Sequence, residues 1–179
     1  MVNKILITGH PGVGKTTLLK KVIARCADLA LTGFYTEEIR ENGVRVGFKA
    51  VGLNGSSAVF AHKNFQTGPE RKVGKYGVKP EALESLVLPH IDAQRKGADL
   101  VVIDEIAKME LISKLFRQKL IDLVESDSPV FASISLKGTG LIKDLKRRKD
   151  VELFTLTQQN RDVLIEQVYR SVKRITGAG

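Results

Sequence analysis

Between Ile5 and Val22 the chain runs from an apolar stretch through Gly9-His10-Pro11-Gly12-Val13-Gly14-Lys15-Thr16-Thr17 into a helix-like continuation. Few sequence features restrict a fold so tightly. A short apolar strand must turn sharply here, and glycine tolerates backbone angles that a Cβ forbids. The helix that opens at Lys15 has first N–H groups with no partner inside it, and these carry partial positive charge. Strand, glycine-rich turn and helix in that order make one unit of an α/β fold with an anion site at the turn. Residues 9–16 also match G-x-x-x-x-G-K-[ST] in full. Inward-turned N–H groups can cradle phosphate oxygens, the Lys15 ammonium can bridge β- and γ-phosphates, and the Thr16 hydroxyl can ligate Mg²⁺. The segment from Gly9 to Thr17 is therefore expected to bind a nucleoside triphosphate.

The rest of the chain repeats strand and helix. Val2 to Thr8 reads as a buried strand and Lys15 to Ala27 as a helix whose apolar stripe holds Leu18, Leu19, Val22 and an inert Cys26. Asn42-Gly43 favours the positive φ angles of a tight hairpin, so residues 32–53 should hold an antiparallel pair. Its alternation sets Phe34, Thr36, Glu38 and Arg40 on one face. A short strand covers "SAVFAH", and "KNFQTGPERKVGKYGVKP" reads as an irregular basic loop. Pro80 suits the first turn of a helix running toward Gly97, with a break at Pro89. "ADLVVIDE", "PVFASIS" and "VELFTL" read as further buried strands. Helices are expected from Ser113 to Ser126, with Leu115, Phe116, Leu120, Leu123 and Val124 facing inward, from Gly140 to Lys149, and from Asn160 to Ile175. Near-continuous apolar strands alternating with helices indicate a mostly parallel sheet, covered on both faces and carrying an antiparallel hairpin insertion.

At 179 residues the chain is expected to form one domain over 1–179. Its single cysteine excludes an intrachain disulfide or a cysteine-based metal cluster. No apolar run reaches the roughly 20 residues that span a bilayer, and "MVNKILITGH" lacks a secretory pattern, so a cytoplasmic protein without a membrane partner is expected. The formal net charge of +9 suits anionic ligands without saying which.

A phosphate loop needs an acid at the end of a neighbouring apolar strand, and Leu100-Val101-Val102-Ile103-Asp104-Glu105 supplies two. Asp104 is expected to reach Mg²⁺. Glu105 can orient and deprotonate a water in line with the γ-phosphate, which a protein using a substrate hydroxyl does not need. It is the expected general base; the alternative is a solvated glutamate opening the next helix. Lys108 and Glu110 could point back to the γ-phosphate, with Lys108 offsetting transition-state charge, or pair with each other or with solvent. Ser133 or Ser135 could sense the γ-phosphate or serve the turn. Lys143, Lys146, Arg147, Arg148 and Lys149 form a solvated basic face or a lid that brings Arg147 or Arg148 onto the phosphates. Asn160 and Arg161 border the base, or cap the last helix and face solvent. Scattered His10, His62 and His90 suggest no metal site.

With these segments in place the chain resembles the small cancer-related nucleoside-triphosphatase family, a likeness carried by "PGVGKTTL", "GFYTEEIR", "RVGF", "VGKY", "VIDEIAKMEL", "RRKDVELF" and "NRD" in that order. His10 stands where a proline is familiar and Ala107 where a glycine is. The resemblance implies a RecA-like α/β sheet and slow Mg²⁺-dependent hydrolysis of ATP, GTP, CTP, UTP and TTP with low base selectivity. It also places nucleotide contacts on Gly9 to Thr16 and on Ile103, Asp104, Glu105, Ile106, Ala107, Lys108, Met109 and Glu110. Two other classes compete with a hydrolase. A nucleoside or nucleotide kinase could use the same core, and a nucleic-acid-dependent ATPase would fit the charge. The last is not favoured, because interleaved aromatics and recognised nucleic-acid motifs are missing. The oligomeric state is not readable from the sequence.

Overall fold

The computed structural model describes residues 1–92 and 97–178. Four strands form its parallel half: β1 (Lys4–Gly9), β7 (Leu100–Ile106), β8 (Val130–Ile134) and β9 (Val151–Leu156). The antiparallel half adds β2 (Leu31–Glu41), β3 (Val44–Gly52), β4 (Ser57–His62), β5 (Lys72–Val73) and β6 (Tyr76–Val78), with β2 parallel to β7 and antiparallel to β3. All belong to one sheet of order β5-β6-β4-β3-β2-β7-β8-β1-β9. The parallel half has β8 between β1 and β7, the RecA-like arrangement, so the ends of the phosphate-loop strand and of the acid-bearing strand flank one gap.

Side-chain alternation along these strands builds two apolar layers, as a period of two requires. Ile5, Ile7, Leu100 and Val102 point to one face. There they meet Leu18, Leu19 and Val22 of α1 (Lys15–Ala24) and Leu164, Val168 and Val172 of α5 (Arg161–Ile175). Leu6, Val101 and Ile103 point to the other face, against α2 (Pro80–Val87), α3 (Lys114–Glu125) and α4 (Leu141–Arg147). The second layer continues under the antiparallel half through Phe34, Ala50 and Phe60, so the two halves share a core. Lys4 is buried in β1, where its ammonium donates to the Ser126 and Ser128 carbonyls at 2.8 and 2.9 Å. Burial pushes its pKa down, while its donated bonds satisfy the two carbonyls of the turn after α3.

At the seam between the halves, β2 pairs with β7 through Gly33↔Val102 and Phe34↔Ile103. Gly33 has φ +121°, and a Cβ there would lie 1.9 Å from the Val102 carbonyl oxygen. Only glycine lets the two strands approach this closely.

Several boundaries differ from the sequence expectation for identifiable reasons. The helix from Pro80 ends at Val87 and gives way to a 3-10 turn over Leu88–His90, because Pro89 has no N–H for the carbonyl four residues back and its ring crowds that carbonyl. The remainder of that expected helix, at residues 93–96, lies outside the described residues. Leu115 is not on the inner stripe of α3; it is 56% exposed, while Phe116, Leu120, Leu123 and Val124 are buried. One residue is about 100° of helix, enough to turn Leu115 off the stripe. β9 is an edge strand rather than a buried one, with Leu156 its one buried residue. Residues 63–79, read as irregular, contain β5, β6 and a 3-10 turn over Pro69–Arg71. Strands of two and three residues leave too little alternation to read. The Asn42-Gly43 turn is as expected, with φ 49° and 80°.

Candidate functional site

The site forms where β1, β7 and β8 end. After Gly9 the chain turns through Gly12 and Gly14, at φ 74° and 105°, before α1 begins. Gly14 occupies the helix N-cap position in the left-handed region, which aims the first N–H groups of α1 into the turn. Val13 tucks under the loop into the core, anchoring it from beneath.

Two consecutive acids reach this loop from β7. In a regular strand neighbouring side chains point to opposite faces. Here the register between β7 and β8 shifts between Ile103 and Ile106, which frees Asp104 and Glu105 from strict alternation. Asp104 is fully buried. Its Oδ2 accepts from the Thr16 hydroxyl at 2.8 Å and from the Thr36 backbone N–H at 3.5 Å, and its Oδ1 accepts from the Ser133 hydroxyl. Burial raises its pKa, and the Ser133 and Thr16 hydroxyls oppose that rise. Glu105, 29% exposed, holds an oxygen 3.4 Å from the Lys15 ammonium. Lys15 is itself buried and donates to the Gly9 carbonyl at 3.4 Å. Burial raises the Glu105 pKa, Lys15 counters it and Asp104 adds to it.

Glu110 begins a 3-10 turn over Glu110–Ile112 and is buried, with Oε2 unpartnered among the described residues. Burial first, and the nearby charge of Glu105 second, push its carboxyl up to about 8. No ion pair joins it to Lys108, which is exposed.

These groups border a cleft of about 940 Å³ lined by residues 9–12, 14–16, 105 and 107–110. Its other walls, Ser135 apart, were not anticipated as site residues. They are Thr36, Glu37, Glu38 and Arg40 of β2, Arg45 and Phe48 of β3, Val73, and residues 135–137 after β8. The alternation that put Thr36, Glu38 and Arg40 on one face was visible in the sequence. The pairing of Phe34 with Ile103 was not, and it makes the second half of β2 run past the end of β7 as a wall.

Other expected contacts fall elsewhere. Ile103 and Ile106 are buried in the core, so their side chains support β7 and do not line the cleft. Thr17 is exposed and off the cleft wall. Asn160 accepts from the Thr157 N–H at 2.8 Å and donates to the Thr155 carbonyl at 2.9 Å, closing the β9–α5 loop; neither it nor the exposed Arg161 lines the cleft. Ser133 is spent on Asp104, whereas Ser135 lies on the cleft wall. Arg148 is held on the α3 side by Asp150 at 2.9 Å, by Glu125 and by the Val124 carbonyl. Lys146 turns inward, donating to the Ser135 carbonyl and, at 2.9 Å, to that of Leu136, and so fixes the loop after β8.

Residues 4–169 match the NTPase family. The chain belongs to that family. It is 40% identical over 170 residues to a nucleoside-triphosphatase THEP1 of Thermotoga sp. (strain RQ2), covering 95% of each chain. The crystal structure of THEP1 from the hyperthermophile Aquifex aeolicus superimposes with a TM-score of 0.86 at 36% identity, covering 96% of this chain and 99% of that one. The solution structure of a human cancer-related nucleoside triphosphatase gives 0.81 at 34% identity, with 97% and 98% covered. The NTPase family resemblance read from the sequence and the RecA-like α/β architecture are both borne out. No helix among the described residues is long and apolar enough to cross a membrane.

The donors at the loop suit a hard divalent cation. Thr16 and Asp104 place a hydroxyl and a carboxylate oxygen 2.8 Å apart where α1 begins. Mg²⁺ is commonly held by one or two carboxylates together with substrate phosphates and waters. No group of three or more His, Cys, Asp or Glu side chains suited to a metal occurs among the described residues, so an ion here would take its other ligands from substrate and solvent.

Proposed function

We propose that this chain hydrolyses nucleoside triphosphates to diphosphate and phosphate, with water activated by Glu105. The observation that carries the reading is the convergence of Lys15, Thr16, Asp104 and Glu105 on one loop. The names of the relatives, nucleoside-triphosphatases, agree with it.

The triphosphate lodges at the start of α1, where backbone N–H groups and Lys15 meet its oxygens. Mg²⁺, held by Thr16 and Asp104 when bound, neutralises charge on the phosphates. Glu110 is neutral below about pH 8 and adds no third negative charge beside Asp104 and Glu105. Lys15 turns from Glu105 to the phosphates, which removes the cation that had lowered the basicity of Glu105. Glu105 then accepts a proton from water as the oxygen attacks the terminal phosphorus. The bond from that phosphorus to the bridging oxygen breaks, and the diphosphate leaves. Lys108 and Lys137 on the cleft wall are placed to offset the charge that develops. Stacking-tolerant binding of several bases, Mg²⁺ dependence and a cytoplasmic setting belong to this reading.

The test is release of inorganic phosphate from each common triphosphate, with and without nucleoside or nucleotide acceptors. Free phosphate in the absence of acceptors is expected. Labelled phosphate appearing on an acceptor, with little release to water, would overturn the hydrolase in favour of a kinase.

A further inference from the structure

Three sequence segments outside the phosphate loop and the acid pair meet beside the cleft. "GFYTEEIR" supplies Glu38, "RVGF" supplies Arg45 and Phe48, and "VGKY" supplies Tyr76. The hydrolytic step uses none of them.

Their geometry is specific. The Arg45 guanidinium lies 5.0 Å from the Phe48 ring centre. Its Nη1 donates to Glu38 at 2.7 Å and its Nε to the Tyr76 hydroxyl at 3.1 Å. Tyr76 in turn packs edge-on to Phe48, with ring centres 5.2 Å apart. An arginine side chain carries much rotamer freedom, yet two hydrogen-bond partners hold this one over the Phe48 ring. A part-exposed ion pair adds little stability, so the fold gains little from such a device. Phe48 and Arg45 both line the cleft that residues 9–12 and 14–16 also line.

Accepting the nucleoside-triphosphate reading above, we infer that Arg45 over Phe48 is the platform on which the nucleobase stacks. Every base presents a π-face, so stacking on an arginine or aromatic plane tolerates any of them. Discrimination among bases needs donors and acceptors aimed at their edges, for which Asn and Gln side chains are well suited. Neither residue type occurs among the described residues that line the cleft. The platform therefore adds affinity for the nucleoside without selecting its base.

The test compares, by titration calorimetry, β,γ-methylene analogues of ATP, GTP, CTP and UTP with inorganic tripolyphosphate. In the unaltered protein the four nucleotides should bind more tightly than tripolyphosphate by similar factors, about 10- to 100-fold. Arg45→Gln and Phe48→Leu, which keep much of the side-chain bulk, should shrink that factor for all four nucleotides together. In turnover they should raise KM more than they lower kcat. An undiminished factor in both variants, equal weakening of tripolyphosphate, or loss of a single nucleotide's affinity would overturn the inference. Tripolyphosphate binding with no nucleotide advantage in the unaltered protein would overturn it while leaving the phosphate site intact. If neither ligand class binds, the nucleoside-triphosphate reading itself fails and takes the platform with it.

Discussion

In the parallel half of the sheet, β7, β8 and β1 are buried on both faces and end together at the phosphate loop. In the antiparallel half, β2 and β3 run beyond those ends and expose their outer segments, turning one face toward the same cleft. On the proposed reading, the first half polarises phosphate and water, and the second offers flat and charged side chains to the nucleoside. The two roles would then sit on strands of opposite pairing, joined at the Gly33 seam.

Removing the base from the parallel half should have the largest effect. Glu105→Gln should lower kcat by roughly 10²- to 10⁴-fold while nucleotide affinity is retained. Phosphate release and calorimetry on the same protein check this, and a wild-type rate would remove Glu105 from its role.

Next comes the mechanical bond between the halves. Phe60 of β4 is fully buried in the layer that also holds Ile103, Phe116 and Ile134. Phe60→Ala should cost about 3–5 kcal/mol and leave one cooperative unfolding transition in denaturant. Two separated transitions would mean that the halves fold independently.

A smaller effect concerns pH. The Glu110 carboxyl is raised from its ordinary 4.5 to about 8, so between those values the folded chain holds a proton that the unfolded chain has released. That contribution is fully present below the lower value and is lost as pH rises through the upper one. Burial raises Asp104 and Glu105 in the same sense. Thermal stability should therefore fall from about pH 5 to about pH 9, with Glu110→Gln reducing the slope by an amount on the order of a few kcal/mol over that range. A slope unaltered by Glu110→Gln would show that Glu110 ionises normally.

The smallest effect is expected at the surface tie from α1 to the hairpin. Lys20 contacts Glu37 at 2.9 Å and sits 3.8 Å from the Tyr35 ring centre. Lys20→Met should change stability by no more than about 1 kcal/mol, because both partners are partly solvated. A larger loss in a denaturant titration would mean that this contact helps to set the hairpin over the cleft.

The phosphate end of the site was legible because its parts are local. A glycine pattern, the helix that follows it and an acid pair closing an apolar run each lie within a few consecutive residues, and backbone sterics dictate what such runs do. Asn42-Gly43 announced its turn for the same reason. Leu115 and β9 were misjudged where a local pattern could not say how far the covering layer extends. Thr36, Arg45 and Phe48 were missed as site residues, although their strands and the alternation of β2 were read.

Sequence alone therefore determined the strand–loop–helix unit, the acids that answer it, and the alternation of elements that demands a covered sheet. Only the tertiary structure decided that β8 separates β1 from β7, that a register shift lets Asp104 and Glu105 share one side, and that β2 overhangs the cleft. Those outcomes depend on which strands pair and in what register. Pairing is settled by burial between segments far apart in the chain, which no local run of residues encodes.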